Sequence, residues 1–246
     1  MIAAAVGAIF GSFLNVVAYR LPRGESLSHP RSRCPQCQTQ IKAYDNVPVL
    51  SWLALRGRCR TCRAPISARY PLVEAVTGLL CGLVVYDQGM DESALLGLAL
   101  VLLLVPITLI DLDHRIIPNK LTLLGAVLAP AILAFTAPDA IPEHLIAGAA
   151  AGGFFLLAAL AYPRGMGMGD VKLAAVLGLF LGRAVGPALL VALVTGTLVG
   201  AAIIARKGAA EGRKTAVPFG PFLALGGVVA LFVGDAMVDW YLTTFI

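Results

Sequence analysis

The sequence predicts an all-α polytopic membrane protein with about eight transmembrane helices and a small cytoplasmic loop domain that holds four cysteines. Three observations carry that reading. The 246 residues are 59% hydrophobic and only 13% charged, with a mean hydropathy of +0.85, whereas soluble domains are about half apolar and a quarter charged. Apolar runs of membrane-spanning length recur along the chain, each measured against the roughly 20 residues that cross a bilayer as a helix. The basic residues follow the ends of those runs and form no single patch.

Taken in order, the runs lie near Ile2 to Ala18, Leu72 to Tyr86, Ala94 to Ile110, Leu121 to Phe135, Leu145 to Ala161, Leu173 to Leu181, Pro187 to Ala205 and Phe222 to Val238. The sixth is the weakest, because its apolar core is short and Gly178, Gly182 and Gly186 interrupt it. The 26 glycines and 15 prolines sit among Leu, Ala and Val, where membrane helices tolerate them. Met1 to Tyr19 is read as a first span, since the basic residues follow the apolar stretch and no cleavage-site pattern precedes a polar region. The expected organisation is a first transmembrane helix over 1–19, a cytoplasmic loop domain over 20–70 and a membrane-embedded domain of about seven helices over 71–246.

Placing the loop from Arg20 to Tyr70 in the cytoplasm puts Arg115, Lys120, Arg164, Lys172, Arg206, Lys207, Arg213 and Lys214 on the same side and only Arg183 opposite. That satisfies the positive-inside rule. The opposite loops carry Asp87, Asp91, Glu92, Asp139 and Glu143, so both termini are expected on the periplasmic or extracellular side. The net charge of +5 is therefore a topology signal, and no nucleic-acid partner is expected.

The segment 20–70 is too small to build much core without a staple. It contains Cys34-Pro-Gln-Cys37 and Cys59-Arg-Thr-Cys62, separated by slightly more than the roughly 15–20 residues usual for paired zinc knuckles. Four thiolates suit tetrahedral Zn²⁺ with no position open for water, so the ion is structural and supplies folding energy. Two disulfides are the alternative in an oxidising compartment, and a redox role is a third reading. Cys81, alone within the second span, reads as a small apolar packing group.

Two acids stand at the same predicted membrane face. Asp111 continues the third apolar run in Leu109-Ile110-Asp111-Leu112-Asp113-His114-Arg115, where a carboxylate is costly and marks function. Asp170 ends Gly165-Met166-Gly167-Met168-Gly169-Asp170, whose small residues permit close backbone approach. Two carboxylates sharing one proton can activate water against a peptide carbonyl, one as base and the other as acid. Asp113 lies two residues from Asp111 and so on another helix face; Asp111, nearer the membrane, is the favoured member. Solvated boundary residues remain the alternative for either acid.

Gly11-Ser-Phe-Leu-Asn15-Val-Val, the two cysteine knuckles, Arg69-Tyr70-Pro71-Leu72-Val73-Glu74, the stretch from Asp111 to Asn119 and Gly167-Met168-Gly169-Asp170 together resemble the bacterial type IV prepilin peptidases, membrane aspartyl proteases of the GxGD type. The resemblance covers almost the whole chain, with the motifs in the family's order. It implies an inner-membrane peptidase that removes the basic leader of type IV prepilins or type II secretion pseudopilins after a glycine, working beside the pilus or secretion assembly machinery. It maps catalysis to Asp111 and Asp170. Members with the cysteine loop often also methylate the new N-terminus with S-adenosylmethionine, and that second activity is expected here, although no Gly-rich loop locates a methyl-donor site.

Glu74, Lys172 and Asp113 are candidate auxiliary residues. Glu74 either binds the new amine or a cation, or pairs with Arg69 or another loop arginine. Lys172 either biases the acid pair or meets substrate, or anchors topology. Asn15 and Arg20 either orient the loop or take part in function, and His114 reads as a solvated loop residue. Two other classes of function compete: a transporter relaying protons through the acids, against which no repeat relates the two halves, and a zinc-dependent scaffold.

Overall fold

The computed structural model describes residues 1–91, 93–162, 166–208 and 217–245. Glu92, Arg164, Gly165, Arg213 and Lys214, which enter the topology and motif reading above, lie outside the described residues. Among the described residues the long elements are helices, and the β-pairing consists of two isolated bridges. Seven segments among the described residues are long and apolar enough to cross a membrane. One of them, Met168–Lys207, is a 40-residue stretch that breaks at Gly182–Ala184 into two helices. The eight runs read from the sequence thus map onto seven segments, and the chain is a multi-pass membrane protein.

The chain divides into two compact units, Met1–Met90 and Asp91–Ile246. In the first, α1 (Ile2–Arg20) packs against α3 (Arg69–Gln88), with the short α2 (Leu50–Ala54) between them in sequence. Lipid gives two helices no hydrophobic reason to associate, so close van der Waals packing must hold them. Gly7 and Gly11, one turn apart, supply it: a Cβ on Gly7 would fall 2.6 Å from the Cβ of Cys81. Across the seam, a Cβ on Gly78 would lie 2.7 Å from the carbonyl oxygen of Ala4. Cys81 is accordingly a buried packing group. Asn15 Nδ2 donates to the carbonyls of Gly11 (3.2 Å) and Tyr70 (3.3 Å), tying the end of α1 to the start of α3. Arg20 donates to Ser26 O (2.8 Å) and Pro30 O (2.6 Å), shaping the chain as it leaves α1.

The second unit contains α4 (Ser93–His114), α5 (Asn119–Thr136), α6 (Ile141–Ala161), α7 (Met168–Leu181), α8 (Val185–Lys207) and α9 (Gly220–Phe245). α4 supplies much of the core, with Leu100, Val101, Ile107 and Ile110 fully buried. α6 and α7 run antiparallel in close contact, since a Cβ on Gly178 would lie 2.5 Å from Ala147 O. α7 and α9 run parallel, with Gly227 of α9 against Leu177, and Gly234 meets Ala184 in the turn that follows α7. At 14 residues, α7 extends only about 21 Å, short of the roughly 30 Å hydrocarbon core.

At the far end of α7 the chain turns at Gly182, whose φ is +53°. Arg183 follows, and its guanidinium meets Asp235 Oδ1 (Nε, 2.9 Å) and both oxygens of Asp239 (Nη1, 2.8 Å; Nη2, 3.3 Å) on α9. The Arg183 amide donates to Glu143 Oε1 of α6 at 2.9 Å. The side chains of this clamp are about half exposed, so each pair contributes at most about 1 kcal/mol and less at high salt.

Replacing Gly78 by Leu drives a side chain into the α1 backbone, and overpacking of this kind costs about 1–3 kcal/mol. Thermal unfolding in detergent is expected to show a lower midpoint for Gly78→Leu. Gly200→Leu, at a helical position with nothing within 4 Å of the added Cβ, is expected to unfold with wild type.

Candidate active site and candidate metal centre

Asp111 stands in the last turn of α4 and is only 4% exposed. The chain then leaves the helix at Arg115, whose φ of +55° is left-handed, a conformation costing a non-glycine residue about 1 kcal/mol. The turn carries Ile116 and Ile117 to Pro118, which caps α5. Ile117 packs beside the start of α7: a Cβ on Gly169 would lie 2.9 Å from the Cβ of Ile117. The second glycine of Gly167-Met168-Gly169-Asp170 is therefore needed for close approach, and that approach delivers Asp170 in the first turn of α7.

Asp111 and Asp170 line one cleft of about 340 Å³ together with Arg115, Ile117, Asn119 and Lys172. Each has one oxygen engaged by a main-chain amide. Gly220 N donates to Asp111 Oδ2 at 2.8 Å, and Gly167 N donates to Asp170 Oδ2 at 3.2 Å. Helix N-termini carry unpaired amides and positive potential, so the first turns of α7 and α9 both suit a carboxylate. Chemically, the arrangement offers two acids that line one cleft roomy enough to admit water.

Lys172 lines the same cleft and donates from Nζ to Asn119 Oδ1 at 2.8 Å, linking α7 to the start of α5. Asp113 and His114 are exposed and are not among the residues lining the cleft. Gly220 carries no signal in the sequence reading. Its only trace there is Pro218-Phe219-Gly220-Pro221, a Pro/Gly cluster opening the last apolar run.

In the first unit the four cysteines come together, with their sulfurs all within 4.8 Å of one another, and could hold a metal ion. The knuckles share one design. Cys34 N donates to Thr39 O (3.0 Å) and Cys59 N to Ala64 O (2.8 Å), and antiparallel bridges join Arg33 to Gln40 and Arg58 to Pro65. The residue after each second cysteine is left-handed, Gln38 at φ +57° and Arg63 at φ +60°, which folds the amides back toward the sulfurs. The Thr39 hydroxyl, 3.4 Å from Cys37 Sγ, and the Thr39 backbone hold that thiol well below its ordinary range, at about 6.

Two contacts brace the module. Arg60 Nε donates to Asp45 Oδ2 at 2.8 Å and holds its carboxyl below the usual range. Buried Glu74 accepts from Val49 N at 2.7 Å through Oε2. One partner of Glu74 is thus a main-chain amide of the loop.

Comparison with known proteins adds three findings. A model of the bacterial peptidase A24 N-terminal domain matches residues 5–88, and a model of the type IV leader peptidase family matches residues 98–205. Proteins named prepilin leader peptidase/N-methyltransferase are similar along nearly their whole length. The one from Aeromonas hydrophila is 39% identical over 97% of this chain and 92% of its own. The one from Stutzerimonas stutzeri is 38% identical over 96% and 91%, and that from Legionella pneumophila 35% over 94% and 90%. No solved structure matches. With both halves of the chain matched in order and relatives of this identity aligned end to end, the chain belongs to the type IV leader peptidase family.

Proposed function

We propose that this protein is an aspartic endopeptidase of the bacterial inner membrane that removes the basic leader of type IV prepilins or pseudopilins after a glycine. We propose further that it N-methylates the new N-terminus. The observation that carries the peptidase reading is the cleft where Asp111 and Asp170 meet, each braced by a backbone amide. Family membership supplies the substrate class, and the relatives' shared name supplies the second activity.

In the reaction the ionised carboxylate takes a proton from water as its oxygen attacks the scissile carbonyl. The protonated partner gives its proton to the carbonyl oxygen. Collapse of the tetrahedral intermediate breaks the C–N bond, and a proton passes to the departing amine, leaving a leader carboxylate and a free pilin N-terminus. Lys172, held by Asn119 at the same cleft, is positioned to meet the substrate main chain. Glu74 serves as an auxiliary through its hold on the loop at Val49.

In this reading the dyad end faces the cytoplasm, because Arg115, Lys120, Lys172, Arg206 and Lys207 flank helix ends on that side while Arg183 lies on the other. Both termini then face away from the cytoplasm. Residues 1–19 anchor the chain, 20–70 form the metal module and 71–246 carry the peptidase. A prepilin, apolar behind its basic leader, presents its cleavage site at that same interface, where the pilus or secretion machinery receives the product.

The ion assigned to the four cysteines is Zn²⁺. A tetrahedron with Zn–S of about 2.3 Å has S···S edges of about 3.8 Å, and Cys34–Cys62 at 3.7 Å and Cys37–Cys59 at 4.0 Å fit it. The same separations are far from the roughly 2.05 Å of a disulfide. Zinc closes the two knuckles into one folded unit. S-adenosylmethionine supplies the methyl group for the second activity.

Incubating purified protein with a leader-bearing prepilin and following product mass tests the peptidase. General acid–base catalysis contributes about 10²–10⁴-fold, so Asp111→Asn and Asp170→Asn are each expected to lower the cleavage rate by at least about 10²-fold. Because the two act as one unit, the double variant is expected to be little worse than either single one. Full cleavage by the double variant overturns the reading. Addition of S-adenosylmethionine is expected to raise the product mass by one methyl group.

Elemental analysis is expected to find one zinc per chain, falling to near zero in Cys34→Ser/Cys59→Ser. Chelation should make residues 30–65 sensitive to protease while the helical signal of the membrane segments persists. Retention of a compact loop without metal would remove zinc from its structural role.

A further inference from the structure

α9 carries glycines at 220, 227 and 234, seven residues apart on one face of the helix. Gly227 and Gly234 meet apolar atoms of Leu177, Leu104 and Ala184, so they are ordinary close-packing positions. Gly220 is different. A Cβ built on it would lie 2.7 Å from Oδ2 of Asp111, 3.1 Å from its Cγ and 3.3 Å from its Cβ. The Asp111 side chain therefore lies along the bare α-carbon of Gly220 while Oδ2 accepts that residue's amide at 2.8 Å. Gly220 is buried and is not among the glycines with positive φ, so its backbone conformation does not demand glycine. The neighbour that does is the carboxylate.

We propose that Gly220 is a positioning residue for the peptidase dyad, fixing Asp111 through its amide and through its lack of a side chain. The inference rests on the peptidase reading of Asp111. With Oδ2 committed to the scaffold, Oδ1 is the oxygen presented to water and to the shared proton. A methyl group at 220 would press on the Asp111 carboxylate, which lines a cleft and can turn into it, and on the Asp111 Cβ, which must give by a few tenths of an ångström. The cost therefore falls mainly on the carboxylate's place, whereas a methyl group at 227 would press on Leu177 and Leu104, which are buried and have no cleft to turn into. By contrast, a methyl group at 226 would run into the carbonyl oxygen of Ala188, which the backbone must relieve.

The test is steady-state cleavage of a prepilin by Gly220→Ala, beside Gly227→Ala on the same face of α9, with thermal unfolding of each in detergent. A displacement of about 1 Å at a catalytic group costs about 10²-fold. Gly220→Ala is expected to lose roughly that much kcat, with KM changed less than about twofold and an unchanged midpoint, whereas Gly227→Ala lowers the midpoint and keeps kcat. Replacing residue 220 by glycolate turns the amide into an ester, adds no atom that could clash, and is expected to lower kcat about tenfold or more by removing the donor alone. Wild-type kcat in both position-220 variants overturns the inference, as does a kcat loss matched by a fall in midpoint as large as that of Gly227→Ala. Cleavage by Asp111→Asn would instead overturn the peptidase reading, so the two failures are distinguishable.

Discussion

A helix in hydrocarbon must satisfy every backbone amide and carbonyl within itself, and only its ends have groups to spare. The polar site of this protein is built from such ends. Asp111 comes from the last turn of α4, Asp170 from the first turn of α7, and the amides that hold them from Gly167 and from the opening residue of α9. The middle of each helix contributes packing. A site assembled from three helix ends owes its geometry to how the helices are placed, which is why so many constraints on that placement are steric.

Those constraints are mostly missing side chains. Gly7 against Cys81, Gly78 against Ala4, Gly178 against Ala147 and Gly169 against Ile117 all mark places where one methyl group would not fit. In water, apolar side chains would hold such helices together through their burial. In lipid the tails are as apolar as leucine, so the advantage lies in bringing backbones close enough for dense contact. Polar ties then fix what packing leaves adjustable, as Asn15 does at Tyr70 and Lys172 at Asn119. The loop module is held differently, by thiols and by the carboxylate of Glu74 on Val49.

Much of this was legible in the residues. Apolar runs give the helices because the bilayer fixes their length, and paired C-x-x-C knuckles announce a four-sulfur cluster because few other chemistries need that spacing. Asp111 and Asp170 stood out as acids that lipid makes expensive, and the fold brings both to one cleft. The break at Gly182 was weakly visible, since a 40-residue apolar stretch has no polar interruption long enough to mark a turn. Gly220 was not legible. A glycine whose role is to leave room for a carboxylate 109 residues away writes nothing into its own neighbourhood beyond two prolines. Nor does Glu74 reveal its partner, because a backbone amide has no sequence identity.

The Arg183 clamp gives the dyad a mechanical setting. α7 and α9 start beside the two aspartates and are fastened to each other at the opposite end, through Asp235 and Asp239. From Asp170 to Arg183 is about 20 Å and from Gly220 to Asp235 about 22 Å at the helical rise per residue, so the pair forms two arms of nearly equal length with a joint at one end and a jaw at the other. A change of about 3° at the joint opens or closes the jaw by about 1 Å over arms of that length. The joint is made of exposed charges, so the end that fastens the two arms is solvated, while the Asp111 carboxylate held at their starts is buried.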